Sequence, residues 1–189
     1  MKTGCCGFNP LFCTHFLVGM FVLFPFGAGM HFFYELSGCN DFVAIFCAVN
    51  ESVYEHAKIM LFPILFWWCI VVAIHTTKIE ESLNAGTCAV YSSLILLIIG
   101  NGISILGGFE NLAYDIILFG VCILFGQTIG WIVLCNGPLF PRLQLCCHVL
   151  LIIIVAVLAS CTFHPPQWPY MFEDHRNHTY GRPEKCHSI

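Results

Sequence analysis

The stretch AVNESVYEHAKIMLFPILFWWCIVVAIH, residues 48–75, joins a cluster of ionisable side chains to a long apolar run. The run 59–74 contains no charged residue. With the residues before it, it approaches the roughly 20 residues that a helix needs to cross a bilayer. Because ionisable groups inside a membrane are costly, Glu55, His56 and Lys58 near the start of this helix are candidate functional residues.

The composition of the whole chain is that of a membrane protein. Of its 189 residues, 58% are hydrophobic and 10% are charged, and the mean hydropathy is +0.82. Soluble domains carry about 25% charged residues, so the chain belongs to a different class. The expected partner is therefore the lipid bilayer, with other membrane-protein subunits as a further candidate. The formal net charge of −4 and the lack of a basic run argue against nucleic acid.

The apolar stretches predict an all-α integral membrane protein, a five-helix transmembrane bundle in residues 1–163. A short interfacial connection follows the first span, because segment 39–49 is too short to cross a bilayer. A polar tail rich in proline and histidine, residues 164–189, follows the last span. Glycines near the third connection are expected to allow close helix packing: Gly100, Gly102, Gly107 and Gly108. The spans are placed at about 11–36, 53–77, 86–107, 112–135 and 142–163.

The thirteen cysteines do not indicate a disulfide scaffold. Most of them lie in or beside apolar spans, where a thiol behaves as a small hydrophobic group. An odd number of cysteines also cannot pair completely within one chain.

Polarity is concentrated on one side of the predicted bundle. We call the side of the amino terminus near and the opposite side far. All acidic residues except Glu80 and Glu81 fall at far ends of the spans or in the tail. Lys2, Lys78 and Arg142 mark the near side, which favours a cytoplasmic amino terminus and a tail on the opposite side. The basic residues of the tail argue the other way, and the sequence does not identify the membrane.

Two constellations of polar residues meet at the far side. A helix beginning near Asn50 would put Glu51 and Glu55 on one face, four residues apart, and His56 on the adjoining face. His31 and Glu35 are also four apart, at the far end of the first span. Antiparallel neighbouring spans would bring these groups together. The candidate polar site is His31, Glu35, Glu51, Glu55, His56 and Lys58, with Tyr34, Asn50, Ser52, His164 and Asp174 in support.

Two interpretations of this site stay open. Imidazoles and carboxylates are zinc ligands, so His31, Glu51, Glu55 and His56 could hold a divalent metal such as zinc, or relay protons. Three ligands plus a water would suffice for a hydrolase acting on lipid. In the other interpretation the groups form a structural network, with Glu55 paired to Lys58 or to a protonated His31.

The stretch MHFFYELSGCNDFVAIFCAVNESVYEHAKIMLFP, residues 30–63, resembles an uncharacterised, mainly bacterial family of small multi-span membrane proteins. The family motif is H-x-x-Y-[ED]-x-S-G followed by N-E-S-V-[WY]-E-H-x-K and a proline. The tail is similar to the family's P-P-x-x-P…D…Y-G ending. The resemblance implies the same span layout and no known reaction. The matching residues are His31, Tyr34, Glu35, Ser37, Gly38, Asn50, Glu51, Ser52, Val53, Tyr54, Glu55, His56, Lys58 and Pro63.

Three classes of function follow from these observations, and the sequence leaves catalysis itself undecided. The first is a membrane protein with a one-sided metal or proton site, resembling a lipid-directed hydrolase. The second is a structural or assembly subunit of a larger membrane complex. The third is a small transporter, which the one-sided distribution of polar residues disfavours.

Overall fold

The computed structural model describes residues 10–108, 111–138, 140–174 and 177–183. Five of its helices are long and apolar enough to cross a membrane. The predicted five-helix bundle is therefore confirmed, and the chain is an integral membrane protein. The five helices are α1 (Pro10–Leu36), α3 (Val53–Ile74), α4 (Ile79–Gly107), α5 (Leu112–Asn136) and α6 (Gln144–Phe163).

Short elements occupy the connections and the tail. Helix α2 (Asp41–Phe46) lies in the connection between the first two spans, and a 3-10 turn (Pro141–Leu143) precedes α6. After α6 come a single helical turn, α7 (Pro169–Phe172), and an antiparallel pair of two-residue strands, β1 (Glu173–Asp174) and β2 (Thr179–Tyr180). Residues 175, 176 and 184–189 of the predicted tail lie outside the described residues.

The start of α3 differs from the expectation. Ser52, and not Asn50, is the N-cap, and its side chain accepts a hydrogen bond from Glu55 N at 3.3 Å. Asn50 instead uses Oδ1 to accept from Ser52 N at 2.9 Å, which forms the turn before the helix. The predicted cap at Asn50 is therefore wrong, although the helix begins at Val53, where the span was placed. Glu51 precedes the helix, so it does not share a helical face with Glu55.

Helix α4 begins earlier than the apolar stretch that predicted it. It starts at Ile79 rather than near residue 86, and Glu80 and Glu81 occupy its first turn. Carboxylates are favourable there because the amino-terminal end of a helix carries a partial positive charge. Hydropathy therefore marks the apolar part of this helix and misses its polar first turns.

Helices α4 and α5 approach each other closely at Gly126. A Cβ added at Gly126 would lie 1.8 Å from Ser93 Oγ and 2.7 Å from the carbonyl oxygen of Ala89. The Ser93 hydroxyl also donates to the Cys122 carbonyl oxygen at 3.0 Å, so it joins the two helices. Gly102, expected to allow close packing, has nothing within 4 Å of an added Cβ, so that expectation is wrong.

Helix α6 is fastened to the rest of the bundle by polar contacts from two helices. The Tyr91 hydroxyl of α4 donates to the carbonyl oxygen of Cys147 at 2.7 Å. Nearer the far end, the hydroxyl of Tyr54 in α3 donates to the carbonyl oxygen of Leu158. Such hydrogen bonds substitute for the hydrophobic effect, which does not operate between helices surrounded by lipid tails.

The described cysteines are mostly unpaired, as their apolar positions predicted. The free ones include Cys47, Cys69, Cys88, Cys122, Cys146, Cys147 and Cys161. Burial raises the pKa of the Cys47 thiol to about 11, so this thiol stays protonated and unreactive at neutral pH. Cys39, in the connection between α1 and α2, differs because it is disulfide-bonded.

Candidate functional site

A polar cavity of about 250 Å³ opens at the far end of the bundle. The end of α1 and the loop before α3 form one wall, and the tail forms the other. Asn50 Nδ2 donates to the carbonyl oxygen of Gly181 at 3.0 Å, and Arg182 forms an ion pair with Asp41. These contacts hold the tail against the helix ends. The polar side chains that line the cavity include His31, Tyr34, Glu35, Asn50, Glu51, Asp174 and Asn177.

Three ligand-type side chains converge at this far end. One nitrogen each from His31 and His56 and one carboxylate oxygen of Glu51 all lie within 4.8 Å of one another. The two imidazole rings meet edge to face, with centroids 5.0 Å apart. His56 Nε2 lies 3.8 Å from Glu51 Oε2. Two imidazoles and one carboxylate form a ligand set that suits zinc and similar divalent metals.

The orientation of the His56 ring is fixed by a backbone contact. His56 Nδ1 lies 2.9 Å from the carbonyl oxygen of Ser52. A carbonyl oxygen can only accept, so Nδ1 carries the hydrogen, and in the neutral ring Nε2 keeps its lone pair. Nε2 is the atom that faces Glu51. Metal-binding histidines are usually held by this arrangement, in which the second ring nitrogen donates to a carbonyl or a carboxylate.

Glu55 and Lys58 form a separate, buried ion pair. Lys58 Nζ lies 2.7 Å from Glu55 Oε2, and the two residues are 0% and 1% exposed. The ammonium group also donates to the carbonyl oxygen of Ala44 at 2.8 Å and to Thr162 Oγ1 at 2.9 Å. Glu55 Oε2 accepts a further hydrogen bond from Val49 N at 3.0 Å. The three hydrogens of the ammonium group are thus all used.

The candidate residues named from the sequence therefore divide into two groups. His31, Glu51 and His56 come together as ligands, and Glu35 and Asp174 line the adjacent cavity. Glu55 was also a candidate ligand, but its carboxylate is bound to Lys58, the partner that the sequence had suggested. His164 caps the end of α6 and is not among the residues that line the cavity.

Several residues of the site were not found from the sequence. Ala44 and Val49 contribute backbone atoms, which no residue-type pattern identifies. Thr162 lies 104 positions from Lys58 along the chain, so no local spacing connects them. Asn177 donates to Asp174 Oδ2 at 3.1 Å and holds this buried carboxylate in the tail turn.

A second histidine pair lies at the near end of the bundle. His75 Nε2 is 2.9 Å from His15 Nδ1, and His75 is only 8% exposed. Burial lowers the pKa of His75, and the charges of His15 and Lys78 lower it further. The near-end pair is far from the ligand residues His31, Glu51 and His56. The part of α3 that separates them is apolar and buried, and it includes Ile59, Met60, Leu61, Phe62 and Ile64.

The chain matches one known family over most of its length. Neither a search of curated proteins nor a search of solved structures gives a match. The match is to the model of a family of unknown function, DUF6512, and it covers residues 11–182. This range includes the five membrane-spanning segments, the ligand residues His31, Glu51 and His56, and the strands β1 and β2. The motif residues that resembled an uncharacterised membrane family lie within this range. The chain therefore belongs to the family of unknown function DUF6512.

Proposed function

We propose that this membrane protein binds a divalent metal ion, such as zinc, through His31, Glu51 and His56 at its far face. The observation that carries the proposal is the convergence of the three ligand atoms within 4.8 Å. Metal–ligand bonds to histidine and carboxylate are about 2.0–2.2 Å long, so two ligands of one ion lie at most about 4.4 Å apart. The three atoms, within 4.8 Å of one another, need only a small inward movement to reach that separation. The contact between His56 Nδ1 and Ser52 O supports it, because it leaves Nε2 available as a ligand.

The metal would have an open coordination position. Zinc sites with three protein ligands and a water in the fourth position are usually catalytic, whereas structural sites are closed by four protein ligands. His31 and Glu51 also line the cavity of about 250 Å³, which gives room for a water and a small group of a substrate. The proposed activity is therefore metal-assisted hydrolysis at the membrane surface.

We further propose that the far face lies outside the cytoplasm. Cys39, at the far end of the bundle, is disulfide-bonded. Disulfides persist in oxidising compartments and are rare in the cytoplasm. Lys78 and Arg142 at the near ends of the spans agree with this orientation. An alkaline phosphatase fused to the carboxyl terminus should be active in a bacterial host, and a green fluorescent protein at the same place should stay dark. The reverse result would contradict the orientation.

The metal content of the purified protein tests the central proposal. Full-length protein in detergent is incubated with zinc, freed of unbound zinc by gel filtration and analysed for metal. We expect about one zinc per chain, the number that three protein ligands can hold. His31→Ala and His56→Ala should lose it, whereas His164→Ala, an exposed histidine on the same face, should keep it. Wild-type protein without bound zinc, or equal loss in the His164 variant, would contradict the site.

A structural or assembly role is the second candidate function. It is favoured by the Glu55–Lys58 pair. The ammonium group of this pair contacts Glu55, Ala44 and Thr162, as expected for groups that hold helices together. Exposed apolar side chains on α1 and α6, such as Phe21 and Ile152, could face lipid or another subunit. A metal-free protein that remains folded and co-purifies with a membrane partner would favour this role.

A further inference from the structure

Glu35 differs from the other carboxylates around the far cavity. It lies one helical turn beyond His31 on α1, and both residues line the cavity. Residues four apart on a helix share a face, so Glu35 and His31 both line the cavity from the same side of α1. Glu35 is not one of the three converging ligand residues. Glu35 is thus placed beside the site without being one of its ligands.

The neighbouring carboxylates already have partners. Glu55 is bound to Lys58. Asp174 accepts hydrogen bonds from the backbone and the side chain of Asn177. Glu51 belongs to the ligand set. Among the residues that the structure describes, the exposed carboxylate of Glu35 makes no ion pair or hydrogen bond, so it is available to take up a proton.

The charge of the cavity limits what it can bind. Its described lining includes Glu35, Glu51 and Asp174 but neither lysine nor arginine. Two cations of the described far side are already paired, Lys58 with Glu55 and Arg182 with Asp41. Proteins that recognise phosphate or carboxylate groups usually supply arginine or lysine for the purpose. The part of the lining that the structure describes therefore suits an uncharged substrate better than an anionic one.

We propose, resting on the metal site proposed above, that Glu35 is the general base of a hydrolase that cleaves an uncharged carboxylic ester. A water held at the open metal position gives a proton to the Glu35 carboxylate, and its oxygen bonds to the ester carbonyl carbon. The bond from that carbon to the alcohol oxygen then breaks, and Glu35 returns the proton to the departing alkoxide. One water and one ester become one acid and one alcohol, with no other reactant.

Two chromogenic esters test this assignment on the full-length, zinc-incubated protein in detergent. p-Nitrophenyl acetate represents a soluble ester, and p-nitrophenyl palmitate carries a lipid-like acyl chain. Bound zinc per chain and the hydrolysis rate are measured together from pH 6 to pH 9. The variants are Glu35→Gln, Glu35→Asp and, as a control on the near face, Glu81→Gln.

We expect Glu35→Gln to keep its zinc and to lose hydrolysis of at least one ester by about 100-fold, the lower range for a lost general base. The Glu35→Asp variant should recover part of the rate. Glu81→Gln should match the wild type. A zinc-loaded Glu35→Gln protein with the wild-type rate would overturn the role of Glu35. A zinc-loaded wild type no faster than free zinc on both esters would also overturn it.

The zinc measurement separates this inference from the metal site itself. If the wild type holds no zinc, the metal site fails, and the role of Glu35 fails with it. If zinc is bound and depends on His31 and His56 while hydrolysis is insensitive to Glu35, the metal site stands and only the hydrolytic role is lost.

Discussion

Lys58 Nζ lies 2.7 Å from Glu55 Oε2, one turn away on α3, and neither side chain is exposed to solvent. The remaining hydrogens of the ammonium group reach Ala44 O and Thr162 Oγ1. Ala44 belongs to α2 and Thr162 to α6, so one ion pair ties together three helices at the far end of the bundle. Its structural importance can be tested by removing one charge at a time.

Glu55→Gln should strongly destabilise the protein. The change leaves the Lys58 ammonium buried without a counter-charge, and removing one partner of a buried pair costs about 3–5 kcal/mol. Thermal unfolding in detergent measures the loss. The double variant Glu55→Gln/Lys58→Met is the control, because a buried ion pair can often be replaced by uncharged residues at little cost. An unchanged melting temperature in Glu55→Gln would show that the ion pair contributes little.

Substitution of Gly126 should weaken the contact between α4 and α5. The Gly126→Ala change puts a methyl group against Ser93 Oγ and the Ala89 carbonyl oxygen, and the helices must separate to accept it. Overpacking of this kind typically costs about 1–3 kcal/mol. Gly102→Ala is the matched control, since its added methyl group meets nothing within 4 Å. The control should be as stable as the wild type or slightly more stable, because alanine favours helices. Equal destabilisation of both variants would contradict the role of Gly126.

Local spacing predicted part of the far site correctly. Glu55 and Lys58 are three residues apart, a separation that places side chains together on any helix. The start of α3 was also available from the sequence, because Ser52 and Glu55 form the S-x-x-E pattern that marks a helix amino terminus. We instead expected the cap at Asn50, which is an equally good capping residue type. The consequence was that Glu51 and Glu55 were placed on one helical face.

Contacts between distant parts of the chain could not be predicted from local patterns. The tail closes the cavity through Asn50 and Gly181, which are 131 positions apart. Nothing in the sequence around Gly126 marks it as a close helix contact. The difference from Gly102 lies in the three-dimensional packing, because an added Cβ would meet Ser93 and Ala89 at Gly126 and nothing at Gly102. The convergence of His31 with His56 followed from two antiparallel spans, whereas the exclusion of Glu55 from their ligand set depended on its three-dimensional partners.

The near-end histidine pair should make stability depend on pH. The pKa of His75 is lowered in the folded protein by burial and by the neighbouring His15 and Lys78. In the unfolded chain a histidine takes up a proton near pH 6.5. Below that pH the unfolded state binds more protons than the folded state, so stability falls as the pH decreases. The melting temperature of the metal-free protein should therefore drop between about pH 7.5 and pH 5.5.

His75→Gln tests the source of this pH dependence. Glutamine can still form a hydrogen bond with His15 but cannot titrate, so the slope of melting temperature against pH should decrease. His164→Gln, at an exposed position on the far side, is the control and should leave the slope unchanged. A His75→Gln variant with the wild-type slope would place the pH dependence elsewhere.

Zinc should stabilise the folded protein in a pH-dependent manner. A ligand that binds only the folded state at 100 times its dissociation constant adds about 2.7 kcal/mol of stability. His31 and His56 must be unprotonated to bind metal, so protons compete with zinc. The gain in melting temperature should therefore be larger at pH 7.5 than at pH 5. Chelation of the metal at pH 7.5 should abolish the same gain.

At each pH, the melting temperature is compared between samples with and without zinc. His75 contributes equally to the melting temperature of both samples, so the difference between them reports zinc binding alone. His56→Ala should show no zinc-dependent gain at any pH, since the ring that faces Glu51 is missing. His178→Ala is a suitable control: His178 is exposed, contacts Glu173 in the tail and does not belong to the ligand set, so its loss should leave the gain intact. A gain that persists in His56→Ala, or one that is equal at pH 5 and pH 7.5, would mean that zinc binds elsewhere on the protein.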